Sequence, residues 1–172
     1  FTTSDTVSPL LSSSSPADNA TGIGVSSNII LNFSEVVDLE TGNIVIKRTD
    51  NDNTVETITH SGGLITGTGT TQITINPAAA LAELTSFYLT IDATLFDDPS
   101  SNSYAGITAK TALNFTTSDS SNPILTSSAP SDNSTGVAAN ANIVLNFNEV
   151  VDRESGNISI KKTSDNSTFE II

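Results

Sequence analysis

The sequence predicts an all-β fold: antiparallel β-sandwiches in tandem repeats. Three observations predict it. Short apolar runs alternate with period two, as strands with one buried face do. Clusters of Gly, Pro, Asn, Asp and Ser fall between those runs at short intervals. And the chain repeats itself: FTTSD at Phe1 returns at Phe115, and the two copies align without a gap at an offset of 114 residues up to Ile172. A repeat of that length is large enough to bury its own core.

The strands follow from the alternation. The first lies near Val7–Ser12, where Pro9 suits an edge. NIILNF (Asn28–Phe33) sets Ile29, Leu31 and Phe33 on one face, and GNIVIKR (Gly42–Arg48) does the same for Ile44 and Ile46. The second copy supports that register, because Ile158 and Ile160 replace Ile44 and Ile46 while outward Val45 becomes Ser159. Further strands are expected at Thr54–Thr59, at Thr71–Asn76 with Ile73 and Ile75 inward, at Ser86–Ala93 with Phe87, Leu89 and Ile91 inward, and at Thr111–Thr116 with Leu113 and Phe115 inward. One helix-like patch, Ala78–Leu84, is two turns at most. About seven strands separated by turns form two facing sheets.

Composition narrows the function. Net charge is −13, which argues against nucleic acid and anionic lipid as partners. Hydrophobic content of 36% excludes a disordered acidic tail. With no cysteine, neither a disulfide nor a thiolate metal site holds the fold. No apolar stretch is long enough for direct membrane insertion as a helix. Nothing at Phe1 reads as an export signal, so an exported protein would carry one upstream.

The run SPADNATGIGVSSNIILNFSEVVD, followed by TGNIVI, TQITINPAAALAELTSFYLTIDATLFDD and the closing TALNFTT, resembles a bacterial Ig-like domain of the kind found in S-layer proteins and giant repetitive surface adhesins. The resemblance covers the first repeat and the whole of the partial second. It implies an Ig-like sandwich and a spacer or binding role at the cell surface. It divides the chain into residues 1–4, the last strand of a preceding repeat; 5–118, a complete repeat; and 119–172, the first half of the next. Leu81–Phe87 resembles the tyrosine corner of such sandwiches. Phe87 takes the tyrosine position, so the corner's hydroxyl bond is absent and the turn is expected to rest on packing.

Among polar groups, only the carboxylates form a pattern. In a seven-strand sandwich, Asp5, the loop residues Glu35, Asp38 and Glu40, and the late-loop residues Asp97, Asp98 and Asn102 fall at one end. Asp18, Asn19 and Asp50–Asp52 fall at the other. Head-to-tail stacking would then bring Asp119, Glu149 and Asp152 of the second copy toward Asp18, Asp50 and Asp52 of the first. Hard oxygen ligands gathered at a junction suit calcium. The candidate ligands are therefore Asp5, Glu35, Asp38, Asp97, Asp98, Asp119, Glu149 and Asp152. Against this stands the fact that Asp and Asn are ordinary turn formers. Asp50-Asn-Asp-Asn-Thr only begins the calcium-loop pattern and lacks its glycine and terminal Glu.

No catalytic constellation appears. His60 is the one histidine and sits beside Ser61-Gly-Gly, a solvated position. Thr66-Gly-Thr-Gly-Thr-Thr lacks the GK[ST] of a phosphate loop. Tyr88 and Tyr104 are too few for an aromatic sugar platform. The expectation is a non-enzymatic spacer of an extracellular adhesin stalk or filament. Its partners are adjacent repeats or other copies of the chain, and strand complementation is one route of assembly. The alternative is a glycan- or cell-surface-binding module. Residues 119–172 lack the copy's last three strands, so Ile143, Leu145, Phe147, Ile158 and Ile160 are expected to want a partner sheet, to which a strand such as Phe1-Thr-Thr could add.

Overall fold

The computed structural model describes residues 3–172. The chain divides into two compact units, up to Ser120 and from Ser121 to Ile172.

The first unit is a two-sheet sandwich. Its strands are β1 (Leu11–Ser15), β2 (Ala20–Ile23), β3 (Ile29–Leu39), β4 (Asn43–Arg48), β5 (Thr54–Thr59), β6 (Ile65–Thr66), β7 (Thr70–Ile75), β8 (Ser86–Ile91), β9 (Phe96–Asp97) and β10 (Asn114–Thr117). One sheet runs β1-β3-β7-β6, with β9 also on β3; the other runs β2-β10-β8-β4-β5. All pairings are antiparallel except β2 with β10, which is parallel. The inner faces carry the alternating residues. Ile29 and Leu31 lie opposite Ile75 and Ile73, and Ile44 and Ile46 lie opposite Ile91 and Leu89. All of these are buried, as are Phe33, Leu113 and Phe115. β8 is central in its sheet; its inward Phe87, Leu89 and Ile91 are buried, and so is outward Tyr88, between exposed Ser86 and half-buried Thr90.

Several expectations need correction. The first strand begins at Leu11, because Leu10 N–H is taken by Ser34 Oγ (3.0 Å) and Leu10 C=O by Ser34 N–H (2.9 Å), while Pro9 has no N–H to give. Strands β2, β6 and β9 fall in segments expected as loops. β3 runs on to Leu39 through an irregularity between Asn32 and Val37, which places Val37 in the core and Glu35 on a strand instead of a loop. Ala78–Leu84 forms no helix. Leu84 has φ +47, outside the helical region, while Ala78 N–H binds the Glu56 carboxylate and Leu81 N–H binds Val25 C=O. Nor does the corner at Phe87 rest on packing alone. Buried Thr117 donates its hydroxyl to Ala82 C=O (2.6 Å) and accepts from Thr85 N–H (3.0 Å), so it does the tying that the missing hydroxyl would have done. Tyr104 packs edge-on against Phe33, and Phe33 also meets Phe96; these aromatics are core.

The second unit holds two hairpin-like pairs: β11 (Leu125–Ala129) with β12 (Val144–Phe147), and β13 (Ser159–Lys161) with β14 (Thr168–Ile171). Its register copies the first unit. Leu125↔Phe147 and Ala129↔Val144 mirror Leu11↔Phe33 and Ser15↔Ile30. Ile143, Leu145, Phe147 and Ile158 are exposed there. The strand expected at Phe1-Thr-Thr lies largely outside the described residues.

Candidate functional site

The segment leading into β1, strand β3 and the turn after β9 converge at one end of the first sandwich. Each delivers one carboxylate: Asp5, Glu35 and Asp98, whose nearest oxygens all lie within 4.8 Å of one another. Asp5 is exposed, Glu35 half-buried and Asp98 buried. This grouping follows from the chain path that places the incoming segment and the late loop at the same end.

The turn is built around Asp98. Its Oδ1 accepts from the N–H groups of Ser100 (2.8 Å) and Asn102 (2.7 Å), and its Oδ2 from Asn102 Nδ2 (2.8 Å). Asn102 Nδ2 also reaches the backbone carbonyl of Asp5 (3.3 Å), tying the incoming segment to the turn. These hydrogen bonds, the Asn102 side chain first among them, hold the Asp98 carboxyl below the ordinary aspartate range. Glu35 goes the other way: burial, then the charges of Asp5 and Asp98, raise it above the ordinary glutamate value. Asp98 is the most tightly held of the three, with three donors on its oxygens, while Glu35 is raised first by burial and only then by its neighbours' charges.

Asp97 and Asp38 face each other directly across the β3–β9 pair, where like charges are unfavourable. Asp97 Oδ1 is buried and accepts no hydrogen bond. Neither residue belongs to the three-carboxylate group. Asp119, Glu149 and Asp152 are the counterparts of Asp5, Glu35 and Asp38 at the repeat offset. Glu149 is half-buried, and Asp119 and Asp152 are exposed.

The carboxylates expected at the other end are different in kind, because each already has partners inside the first unit. Asp18 accepts from Asn114 N–H (3.0 Å) and Nδ2 (2.9 Å). Asp50 pairs with Arg48 (2.9 Å). Asp52 Oδ1 takes Lys110 Nζ (2.8 Å) and the Tyr88 hydroxyl (3.1 Å), and that lysine also stands over the Tyr88 ring. Arg48 and Lys110 form the two ion pairs seen among the described residues. Among the described residues the cationic compensation is thus at Asp50 and Asp52, and none of it is at Asp5, Glu35 and Asp98. A hard divalent cation is the chemistry that three convergent carboxylate oxygens without a basic partner would take. His60 is exposed.

The model of the bacterial Ig-like domain family matches residues 5–117 and again residues 119–171. The chain belongs to that family, whose members are generally structural modules. Among solved structures it is similar to CopC from Methylosinus trichosporium OB3b, at 16% identity over 66% of this chain and 97% of that one, with a TM-score of 0.44. It is also similar to the S-layer protein rSbsC(31-844), at 11% identity over 94% of this chain and 22% of that one, with a TM-score of 0.44. The chain therefore spans under a quarter of that S-layer protein. No curated protein matches it. Among the described residues no helix is long and apolar enough to cross a membrane.

Proposed function

We propose that this chain is a spacer of an extracellular bacterial surface protein, an adhesin stalk or a filament, in which each repeat adds length. The observation that carries the reading is the double match to one structural family, joined to the copied strand register of β1–β3 in β11–β12. Its partners in this reading are neighbouring repeats and other copies of the chain. Calcium at Asp5, Glu35 and Asp98 stiffens the point where the chain enters the sandwich. A ligand present at a hundredfold excess over its Kd stabilises the folded state by about 2.7 kcal/mol.

The test is small-angle scattering on arrays of one, two and four copies of residues 5–118, with calcium and with chelator. A spacer gives a maximum dimension that grows by a constant step per copy, and calcium makes that growth more nearly linear. Compact particles whose length does not grow would refute it. Binding of a single copy to a glycan array, lost on changing exposed residues, would favour the module reading instead.

A further inference from the structure

The chain leaving the first sandwich stays bonded to it beyond its last strand. β10 ends at Thr117, whose N–H goes to Thr85 C=O (3.1 Å). Ser118 then gives both its N–H (2.8 Å) and its hydroxyl (3.3 Å) to Ile23 C=O. Ser120, although exposed, donates its N–H (3.2 Å) and its hydroxyl to one carboxylate oxygen, Oε1 of half-buried Glu83. Hydrogen bonds to an ionised acceptor are stronger than those between neutral groups. Yet the second match to the domain family begins at Asp119. Ser120 therefore belongs to the second repeat by sequence and to the first unit by hydrogen bonding, and the first compact unit ends there.

The turn that carries Glu83 is itself held on several sides. Leu81 N–H binds Val25 C=O (2.8 Å), the Thr117 hydroxyl binds Ala82 C=O (2.6 Å) and the Thr85 hydroxyl binds Glu83 C=O (2.7 Å). The next residue, Leu84, is left-handed at φ +47 and 70% exposed, so it adopts a costly backbone conformation and buries little in return. What that conformation does accomplish is to turn the chain beside Glu83, whose carboxylate meets the outgoing segment. We propose that Glu83 is a latch. It extends the first sandwich past β10 through Ser120, into the opening residues of the second repeat, so that a pull along the chain reaches the Leu81–Thr85 corner with no slack before Ser120. Joined domains move freely when the residues between them are free, and the latch removes residues from that set. The latch rests on the spacer reading for its use and on the bonds to Ser120 for its existence, so the scattering test can fail while the latch holds, and the reverse.

The test uses the full chain unaltered, as Glu83→Ala and as Glu83→Gln, the last of which keeps an amide oxygen able to accept both bonds. Backbone nitrogen-15 relaxation reads the segment residue by residue on the ps–ns timescale. In the unaltered chain the Ser120 amide is expected to be as rigid as those of Thr117 and Ser118. Glu83→Ala is expected to free Asp119 and Ser120 while Thr117 and Ser118 stay as they were, and to speed subtilisin cleavage after Ser118 by about tenfold. Glu83→Gln is expected to behave as the unaltered chain in both measurements. The urea midpoint read by Tyr88 and Tyr104, both buried in the first unit, is expected to be the same in all three, which separates a latch from a residue that merely supports the fold. A Ser120 amide as mobile in the unaltered chain as in Glu83→Ala, a Glu83→Gln chain as loose as Glu83→Ala, or a midpoint that falls together with the loosening would overturn the inference.

Discussion

Leu31 and Leu145 are the same position of the repeat in two environments, and truncating each to alanine separates burial from sequence. Leu31 is fully buried on β3, opposite Ile73, with the facing sheet above it. Leu31→Ala leaves a hole that a close-packed sandwich cannot close, at a cost of about 3–5 kcal/mol. Leu145 is 40% exposed. Its side chain has less buried area to lose and no closed cavity to leave, so Leu145→Ala costs less than about 1 kcal/mol. For a unit of this size the first change lowers Tm by tens of degrees and the second by a few at most. The assay is already built in. Both tyrosines, Tyr88 and Tyr104, are buried in the first unit, so near-UV circular dichroism and tyrosine fluorescence follow that unit alone. Urea titrations read by tyrosine should show a large midpoint shift for Leu31→Ala and none for Leu145→Ala. A Leu31→Ala shift worth under about 1 kcal/mol, or an equal tyrosine shift from Leu145→Ala, would refute the packing argument.

Thr117→Val keeps the shape but orphans Ala82 C=O and Thr85 N–H, and is expected to cost about 1–3 kcal/mol in the same titration. Gly106 has φ +76, and a Cβ there would run into the Ile91 carbonyl and the Ala93 backbone, within the bridge that Ile91 and Ile107 form. Gly106→Ala should therefore destabilise far more than Gly22→Ala, which has a similar φ but open space and costs only about 1–2 kcal/mol. The pH profile should carry two opposite signs. Asp52 and Asp98 are depressed in the fold, so their stabilisation is present above the ordinary aspartate value and lost as pH falls through their lower folded values. Glu35 is raised, so acidification through its folded value toward the ordinary glutamate value first adds stability, and Glu35→Gln should abolish that gain. Without calcium Glu35→Gln should be neutral or stabilising by Tm; with calcium it should remove the calcium-dependent rise, and a variant that keeps the full rise would take Glu35 out of the ligand set.

Much of this architecture could be read from alternation, and the exceptions have physical causes. Ile29, Leu31, Phe33, Ile44, Ile46, Ile73 and Ile75 were legible because a strand with one wet face repeats every two residues. Val37 was not, since the irregularity after Asn32 breaks that parity. Tyr88 looked outward beside Phe87 and Leu89, but its hydroxyl is tied to Asp52 and Lys110 Nζ stands over its ring, so it is buried between exposed Ser86 and half-buried Thr90. β2, β6 and β9 are only two to four residues long and owe their form to partners brought in by the fold, β10 in parallel for β2 and the extended β3 for β9. The incoming segment and the late loop share an end by chain path, which places Asp5 and Asp98, whereas Glu35 joins them from the extended β3 and not from the loop that alternation suggests. The pairing of Asp18 with Asn114 and of Asp52 with Lys110 spans 96 and 58 residues, and no local pattern announces it.

That difference between the two sets of carboxylates bears on the proposed spacer role. A repeat that joins others in series must hold its own shape at one end and leave some bonding capacity at the other. Asp18 ties β10 to the β1–β2 connection, and Asp52 with Lys110 and Tyr88 ties the β4–β5 turn to β8, so these charges are spent on the sandwich. Asp5, Glu35 and Asp98 stand where the chain arrives from its N-terminal side, with the incoming backbone held by Asn102 and with no ion pair to a basic side chain among the described residues. Asp119 and Glu149 recur at the same positions before and after β11–β12. In the proposed spacer, a cation held by Asp5, Glu35 and Asp98 would act where the chain enters its sandwich, the point that a chain of sandwiches needs to have stiffened.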